Sequence, residues 1–434
     1  LTNYFAESFD QSRIEEIARE TGFCKRKRKL SPFQFLQTLL FKDFDGSKQS
    51  LNDHVIQLSC EENKTIRKQS LDERFNKTSV EFVKQVLIDQ LQSHSQEQKL
   101  PFLDLFNHVY LQDSTKFKLP HCFRASYPGY HQAGASIQLV LDIKQSHFSQ
   151  INIHHQTHND VTESENIGWM PSGSLLIRDL GYFSVEGFKA IEEHNCYFLS
   201  RLQPRSALFQ YKDDAFIRFD LNKLLRRMKR YKLPYVEEQL YLNLQYKYPV
   251  RVCFFLVPTS VRKQRLQVKS KYNKNRGWKQ SKEYGLWSWF NAYLTNTDNR
   301  MIEAASIPQV YKYRWQIELI FKTWKSNYHL EKMKSMKVER MECYLYSLLL
   351  KTVLHRNILN MCSGQVLRKT DIDCEISFIK FTKLIIMLDR IVLHMFRQLP
   401  NAVEAFLLLI DKQNKSMLIK EKKRKTVKFN TVNK

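Results

Sequence analysis

The segment YKYRWQIELIFKTWK, residues 311–325, places the strongest constraint on how this chain can fold. It contains neither Gly nor Pro, and its polar and apolar residues separate with the period of about 3.6 residues that is typical of a helix. The polar face has a single carboxylate among cations and a phenol: Tyr311, Arg314, Glu318, Lys322 and Lys325. The opposite face has side chains suited to a core: Tyr313, Ile317, Ile320 and Trp324. An amphipathic helix with a solvated face explains this pattern most simply.

Two aspartates upstream favour a functional interpretation of that face. HVYLQDST (108–115) alternates like a strand, which we expect to end at Asp113. SLLIRDLGYF contains a buried strand that terminates at Asp179, and Gly181 then turns the chain. Taken alone, each aspartate is explained as well by a cap at a strand end or an Asx-turn. Together with Glu318, they could form a cluster of three acids.

The helix segment carries the pattern Y-x2-R-x3-E-x6-K, and the matching residues are Tyr311, Arg314, Glu318 and Lys325. With the two upstream aspartates in register, this pattern resembles the signature of a large group of bacterial insertion-sequence DDE transposases, the family-four type. The resemblance is good over roughly residues 100–350 and poor at both termini.

The resemblance implies a triad of Asp113, Asp179 and Glu318 that is both catalytic and metal-binding. It implies two Mg²⁺ or Mn²⁺ ions in each site, because phosphodiester transfer uses hard oxygen ligands around two cations. It also implies side chains that hold the phosphates beside the scissile bond. These are Tyr311, Arg314 and Lys325, to which we add Lys322 because it shares their face.

Three further residues resemble site residues by type or position, but we leave them out of this site. Asp142 also lies on a predicted strand, but it matches no position of the family. Well-studied members stack a flipped base on a Trp just before the signature helix, where Trp287 and Trp289 lie. Aromatic residues in the core of a strand at 287–296 explain both tryptophans equally well.

The order of elements predicts a ribonuclease H-like α/β fold, in which the first and fourth strands are neighbours at the centre of a mixed sheet with flanking helices. Strands are predicted at 108–115, 135–144, 149–158, 175–177 and 196–203, with a helix capped by Ser184 before the last. A β-rich insertion interrupts this core. We predict five regions: 1–105, helical and DNA-binding; 106–204, core; 205–290, basic insertion; 291–350, core with the catalytic helix; 351–434, helical with a basic tail.

Two of these regions contain cationic segments that could bind DNA. The N-terminal helices, with Ser31-Pro32 and Ser50 as predicted caps, carry Arg67, Lys68, Arg74 and Lys77. These helices suit either a DNA-binding module or an ordinary helical domain with a basic surface; the resemblance implies recognition of the element's terminal DNA. Residues 262–282 contain no acid, and we expect a flexible surface loop or a segment that lies along phosphates, with Tyr272 and Trp278 favouring nucleic acid. The tail KEKKRKTVK is predicted to be disordered.

The charge of the chain favours a protein that binds a polyanion, and its apolar content and cysteines argue against a membrane-spanning or zinc-binding protein. The net charge is +25, with cations spread along the whole chain, which favours a polyanionic partner. No stretch approaches the roughly 18 apolar residues of a spanning helix, and no secretory signal is evident. The eight scattered cysteines predict reduced thiols and no zinc site. HHQTH (154–158) has the residue types of a metal site but no fourth ligand nearby, so we expect a polar strand end.

We therefore expect a DDE transposase that binds the terminal inverted repeats of an insertion sequence and catalyses metal-dependent cleavage and strand transfer. Its expected partner is double-stranded DNA, both as element ends and as target. We expect no association with a membrane. A dimer is expected in the DNA-bound synaptic complex, and the cytoplasmic nucleoid as location. The alternatives are a non-catalytic derivative acting as repressor or inhibitor, and a stand-alone metal-dependent nuclease.

The spread of positive charge predicts a steep salt dependence of DNA binding. Each phosphate bound releases counterions, so the logarithm of the affinity should fall with the logarithm of the salt concentration, with a slope of about −0.9 per phosphate. Titrations of any duplex at several salt concentrations measure this slope. A slope near zero would exclude nucleic acid as the partner of this charge.

Overall fold

A computed structural model describes residues 1–26, 29–41, 50–62, 65–92, 103–204, 206–277, 281–368 and 376–417. The chain divides into two compact units. The first contains residues 1–94, 119–126 and 319–434, and the second contains residues 95–118 and 127–318. The division into five regions stays a prediction. In the structure, the N-terminal and C-terminal helices belong to the same unit.

The secondary structure is as follows, in chain order. The helices are α1 (Thr2–Ser8), α2 (Gln11–Glu20), α3 (Pro32–Leu40), α4 (Leu51–Glu62), α5 (Lys68–Asp72), α6 (Lys77–Gln92), α7 (Val185–Glu193), α8 (Leu221–Arg230), α9 (Thr259–Lys274), α10 (Lys282–Trp287), α11 (Ile307–Lys312), α12 (Trp315–Ser326), α13 (Val338–Arg368), α14 (Phe378–Met387), α15 (Asp389–Phe396) and α16 (Ala402–Met417). The strands are β1 (Val109–Lys118), β2 (Gly134–Asp142), β3 (His147–His155), β4 (Leu175–Arg178), β5 (Tyr197–Arg201), β6 (Leu208–Lys212), β7 (Ala215–Arg218), β8 (Tyr235–Leu242), β9 (Tyr248–Leu256) and β10 (Phe290–Thr295).

The second unit is built on one ten-stranded sheet with the order β3-β2-β1-β4-β5-β10-β9-β8-β6-β7. β1 pairs antiparallel with β2, and β2 with β3, whereas β1, β4 and β5 are parallel neighbours. The order 3-2-1-4-5 is that of the ribonuclease H-like fold predicted from the sequence. The prediction that the first and fourth strands lie side by side is therefore confirmed.

Helix α7 connects β4 to β5 and packs on the sheet. It begins where predicted, because the Ser184 hydroxyl accepts a hydrogen bond of 2.8 Å from the Gly187 N–H. Its Phe188 stacks on Phe198 of β5, with ring centroids 4.4 Å apart. Such a parallel connection needs a helix to cross from one strand to the next, and this packing buries the face of the sheet behind β4.

The insertion extends the same sheet through β6 to β9 rather than forming a separate layer of strands. The expectation of a loop at 262–282 was wrong for most of its length, because α9 runs to Lys274. The segment contains no Gly or Pro before Gly277. Arg265 fixes the helix to β10, donating to the Phe290 carbonyl at 3.0 Å and to Asn291 Oδ1 at 2.6 Å. Trp278 and Lys279 lie outside the described residues.

The strand expected at 287–296 is shorter than predicted. Trp287 is the last residue of α10, where it is buried in the core of the second unit, and Trp289 precedes the first residue of β10. The Trp289 ring is flanked by two cations, with Lys229 Nζ 3.6 Å and Arg262 Cζ 4.4 Å from the ring centroid. Neither tryptophan is therefore the strand residue that the alternation suggested.

The first unit is helical, and α13 runs through it in contact with α3, α6 and α14. The predicted caps of its N-terminal helices are confirmed: Ser31 forms a capping box with Gln34, and Ser50 Oγ accepts from the Asp53 N–H. The cationic tail at 420–428 lies outside the described residues. Among the described residues, no helix is both long and apolar enough to cross a membrane, and the seven described cysteines are free.

Candidate active site

The two aspartates are placed side by side by the parallel pairing of β1 and β4. Gln112 of β1 is the register partner of Arg178 of β4. The residues that follow them, Asp113 and Asp179, therefore lie at the same level. Asp179 directly follows β4, as predicted. Asp113 does not end its strand, because β1 continues to Lys118. The expected strand end at Asp113 was wrong because the alternation continues through Thr115 and Phe117, whose side chains are buried.

The signature helix is in fact two helices, α11 and α12, with Tyr313 and Arg314 between them. The connecting turn is tightened by i to i+3 hydrogen bonds: Arg314 N–H donates to the Tyr311 carbonyl at 3.2 Å, and Gln316 N–H to the Tyr313 carbonyl at 2.9 Å. The prediction of one continuous helix over 311–325 was wrong at this point. Neither Tyr nor Arg is a helix breaker, so propensity gives no sign of the turn.

Beyond this turn, the predicted core stripe of the helix is largely confirmed. Ile317, Ile320 and Trp324 are buried, each at most 2% exposed, whereas Tyr313 is only half-buried beside the turn. Trp315, which the pattern assigned to neither face, is 56% exposed. The burial of Ile317 fixes the rotation of the first turn of α12 and hence the direction of Glu318.

One guanidinium contacts all three acids. Arg314 Nη1 donates to Asp113 Oδ2 at 2.8 Å, Nη2 donates to Glu318 Oε1, and Nε lies 3.9 Å from Asp179 Oδ1. The Tyr311 hydroxyl donates to Asp179 Oδ1 at 3.2 Å. The structure thus brings together five of the seven predicted site residues, all within the second unit.

The other two predicted site residues lie further along α12, in the part that belongs to the first unit. Lys322 is exposed, and Lys325 Nζ lies 3.3 Å from Glu331 Oε1. Asp142, which matches no position of the family signature, is fully buried and accepts a hydrogen bond of 2.6 Å from His108 Nδ1. Its contacts are those of a structural residue.

Burial dominates the electrostatics of Asp113. Removal from water raises the pKa of its carboxyl to about 6, although the Arg314 guanidinium and the Ser114 N–H both act to lower it. The charges of Asp179 and Glu318 raise it further. For Arg314, burial lowers the pKa, but Tyr311 and the surrounding carboxylates outweigh it and the net pKa is raised. Burial thus disfavours the charged form of Asp113, whereas the Arg314 guanidinium favours it.

A polar network behind Asp113 was not predicted. Asp160 accepts from the Ser114 hydroxyl at 3.0 Å and from Gln138 Nε2 at 2.7 Å, and the Tyr182 hydroxyl donates to Gln138 Oε1. Ser114 follows Asp113 in β1, so Asp160 positions the strand that carries the acid. The only signal in the sequence was an Asn-Asp pair shortly after a strand, which is also typical of an ordinary turn.

The donor set of the three acids fits hard divalent cations. Carboxylate oxygens are the ligands that Mg²⁺ and Mn²⁺ prefer. The one described group of three metal-ligating residues whose ligand atoms all lie within 4.8 Å of one another is a different one, His154, His158 and Glu163. The oxygens of the three acids are thus more widely spaced, around the guanidinium.

The HHQTH segment was interpreted incompletely. β3 ends at His155 as a polar strand end, but the expectation that no further ligand lies nearby was wrong, because Glu163 joins His154 and His158. His155 is not part of this group. Burial, followed by the neighbouring His158, lowers the pKa of His154. A carboxylate five residues beyond a histidine is too common a pattern for sequence reasoning to have singled out Glu163.

The pKa of Asp113 predicts how the stability of the metal-free protein depends on pH. The folded state binds this proton more tightly than the unfolded state, whose carboxyl has the ordinary pKa of 3.8. The free energy of unfolding should therefore fall as the pH rises from about 4 to about 6, by on the order of 3 kcal/mol. Asp113→Asn should remove this part of the dependence.

Urea unfolding in the presence of a chelator, at intervals between about pH 4 and about pH 7, measures the effect. Asp104 is an exposed acid of the same unit, and Asp104→Asn serves as the control that should keep the wild-type profile. Identical profiles for wild type and Asp113→Asn would show that the carboxyl titrates normally.

Comparison with known proteins gives the family. The family described as "Transposase DDE domain" matches residues 106–354, more than half of the 434 residues. The transposase for insertion sequence element IS231F of Bacillus thuringiensis subsp. israelensis is 28% identical over 363 residues, covering 79% of this chain and 76% of that protein. The transposase for insertion sequence element IS1151 of Clostridium perfringens is 27% identical over 403 residues, covering 88% of this chain and 84% of that protein.

Among solved structures, the piggyBac transposase synaptic complex with hairpin DNA aligns over 94% of this chain and 84% of that chain, at 11% identity and a TM-score of 0.42. The family match rests on the segment that contains β1, β4 and α12, and hence all three acids. The chain therefore belongs to the DDE transposase family, whose members use divalent metal ions to cleave nucleic acid and transfer the cut strands.

Proposed function

We propose that this chain is the transposase of an insertion sequence of the family-four type, and that Asp113, Asp179 and Glu318 are its catalytic, metal-binding triad. The observation that carries the proposal is the convergence of these acids from β1, from the end of β4 and from α12 onto one guanidinium. Three separate parts of the chain supply them, so an ordinary helix surface does not account for their meeting.

Two Mg²⁺ or Mn²⁺ ions are the cofactors that these residues would hold. Three carboxylates that surround one guanidinium supply enough oxygens for two ions to share. When bound, such ions stabilise the attacking and leaving oxygens of phosphodiester transfer. Asp113, held by β1 and by the Ser114 N–H, would keep its ligand oxygen in place.

Arg314 is proposed to bind phosphate beside the scissile bond. Its Nε is buried and has no hydrogen-bond partner among the described residues, although its two terminal nitrogens contact carboxylates. A planar guanidinium has five N–H donors, so it can contact an acid and a phosphate at once. Tyr311, Lys322 and Lys325 are proposed to hold neighbouring phosphates.

Double-stranded DNA, as the terminal inverted repeats of the element and as target, is the proposed substrate. Relatives of this chain are named as transposases for insertion sequence elements, and the net charge of +25 suits such a partner. We further propose that the protein acts as a dimer in the synaptic complex, at the nucleoid in the cytoplasm. A repressor without catalysis is less well supported, because it has no need of the three converging acids.

Glu318→Gln tests the triad. The substitution keeps the shape of the side chain but replaces a carboxylate ligand with a neutral amide, so strand cleavage in Mg²⁺ should fall about 100-fold or more. Binding to the element ends should survive, because Arg314 and the lysines remain. Arg314→Ala should lower both cleavage and binding, since it removes a group that binds phosphate.

The assay follows cleavage and joining of DNA that bears the element's own inverted repeats, alongside binding to the same DNA. Glu303→Gln is the matched control, because Glu303 is an exposed acid of the same unit and lies just before α11. Cleavage by Glu318→Gln at the wild-type rate would overturn the triad. Cleavage without joining in the wild type would make the protein a nuclease.

A second experiment separates recognition of element ends from general affinity. Arg67, Lys68 and Lys77 are exposed in the first unit, whereas Arg74 donates to the Leu30 carbonyl at 2.8 Å and has a structural contact. The triple variant Arg67→Gln, Lys68→Gln, Lys77→Gln should lose preference for end sequences over random DNA. Deletion of the N-terminal region is unsuitable, because its helices share a core with α13.

The matched control removes three exposed lysines from α9 instead: Lys263, Lys271 and Lys274. Changing these to Gln should weaken binding to both sequences alike and reduce the salt slope by about 0.9 for each phosphate that the variant no longer binds. If the first triple variant discriminates as well as wild type, sequence recognition lies outside the N-terminal helices.

A further inference from the structure

Two stacked histidines and a glutamate form a compact group at the edge of the sheet. His154 lies in β3, His158 lies three residues after the strand, and Glu163 ends a single 3-10 turn at Asp160–Glu163. The two imidazole rings are nearly parallel, with an interplanar angle of 8° and centroids 4.1 Å apart. The strand and the turn therefore bring three ligating side chains into one group, whose ligand atoms all lie within 4.8 Å of one another.

The ligand atoms of this group are close enough together to share one ion. Glu163 Oε1 lies 2.9 Å from His158 Nε2 and 3.7 Å from His154 Nε2. Around a tetrahedral zinc ion with bonds of about 2.0 to 2.2 Å, ligand atoms are about 3.3 Å apart. The two measured distances lie on either side of that value. The Thr162 hydroxyl, 3.2 Å from His158 Nε2, is the other polar group at this nitrogen.

A second observation points independently to a ligand at this group. His154 Nε2 is buried and has no hydrogen-bond partner among the described residues, because Glu163 Oε1 is too far away for one. Buried nitrogen atoms are nearly always satisfied in native proteins. A metal ion between the three side chains would supply the contact that this nitrogen lacks.

We propose that His154, His158 and Glu163 bind one divalent transition-metal ion of the zinc class, with a fourth position open to water. Imidazole nitrogen selects such metals over Mg²⁺, whose ligands are oxygens. Two histidines and one glutamate are a known zinc donor set. The site shares no residue with the three acids, so it is a second metal site of different chemistry.

The position of the group indicates a structural role for the ion. The 3-10 turn that ends in Glu163 begins with Asp160, which accepts from Ser114 and Gln138. A metal ion bound to His154 and Glu163 would tie this turn to β3 and thereby hold Asp160 against β1. Binding should therefore raise the melting temperature of the protein as well as fill the site.

The test uses the full-length protein, stripped with a chelator and kept in excess Mg²⁺ so that the carboxylate site is occupied. Zn²⁺ is titrated by calorimetry and Co²⁺ by visible absorption, which reports coordination geometry. We expect one ion per chain, a Co²⁺ spectrum of nitrogen and oxygen ligands without a thiolate band, and a higher melting temperature. No binding in the presence of Mg²⁺, or a thiolate band, would overturn the proposal.

Matched variants show which residues hold the ion. His158→Gln and Glu163→Gln should each weaken Zn²⁺ binding about 100-fold or more. His155→Gln and Glu165→Gln should not, because both residues are exposed and neither belongs to the group. Equal affinity in all four variants would show only adventitious binding to surface side chains. Circular dichroism of the metal-free variants checks that they fold. If a variant does not fold, Zn²⁺ binding by the wild type and by the two control variants still tests whether the site exists.

Discussion

The contact of one guanidinium with three carboxylates is the interaction on which the site depends. Asp113, Asp179 and Glu318 would repel one another if they met without a cation, and burial already raises the pKa of Asp113. Arg314 offsets this repulsion within the protein itself. In a DDE transposase the negative charges of the acids also have to be neutralised when metal ions and phosphates bind. Arg314, which neutralises the cluster, is the residue that we propose to bind the phosphate.

Much of the core could be predicted because its signals are local. Alternation identified β1, hairpin spacing identified β2 and β3, and a buried apolar run identified β4. The Ser184 cap identified α7 before β5, and the order of these elements gave the neighbours of β1 in the sheet. Once β1 and β4 are parallel neighbours, Asp113 and Asp179 must lie at the same level. The meeting of these two acids could be predicted because Asp113 lies in β1 and Asp179 directly follows β4, two strands whose pairing follows from topology.

The features that were missed depend on contacts between distant residues. Nothing local marks the turn at Arg314, which forms where that side chain reaches Asp113, 201 positions earlier in the chain. α9 was mistaken for a loop because a run of cations has no periodicity, and its attachment through Arg265 to β10 is tertiary. Glu163 joins two histidines only after the chain has turned back at Asn159, whose side chain caps the turn.

The two ends of the ten-stranded sheet have a consequence for how molecules of this protein meet. β3 is one edge strand and β7 the other. Exposed edges invite pairing with strands of other chains, which leads to aggregation. Polar side chains line β3, among them Gln150, Asn152 and His154, and β7 is only four residues long. The short β7 can template little main-chain pairing, so an added strand would find a full row of hydrogen-bonding partners only along the nine residues of β3.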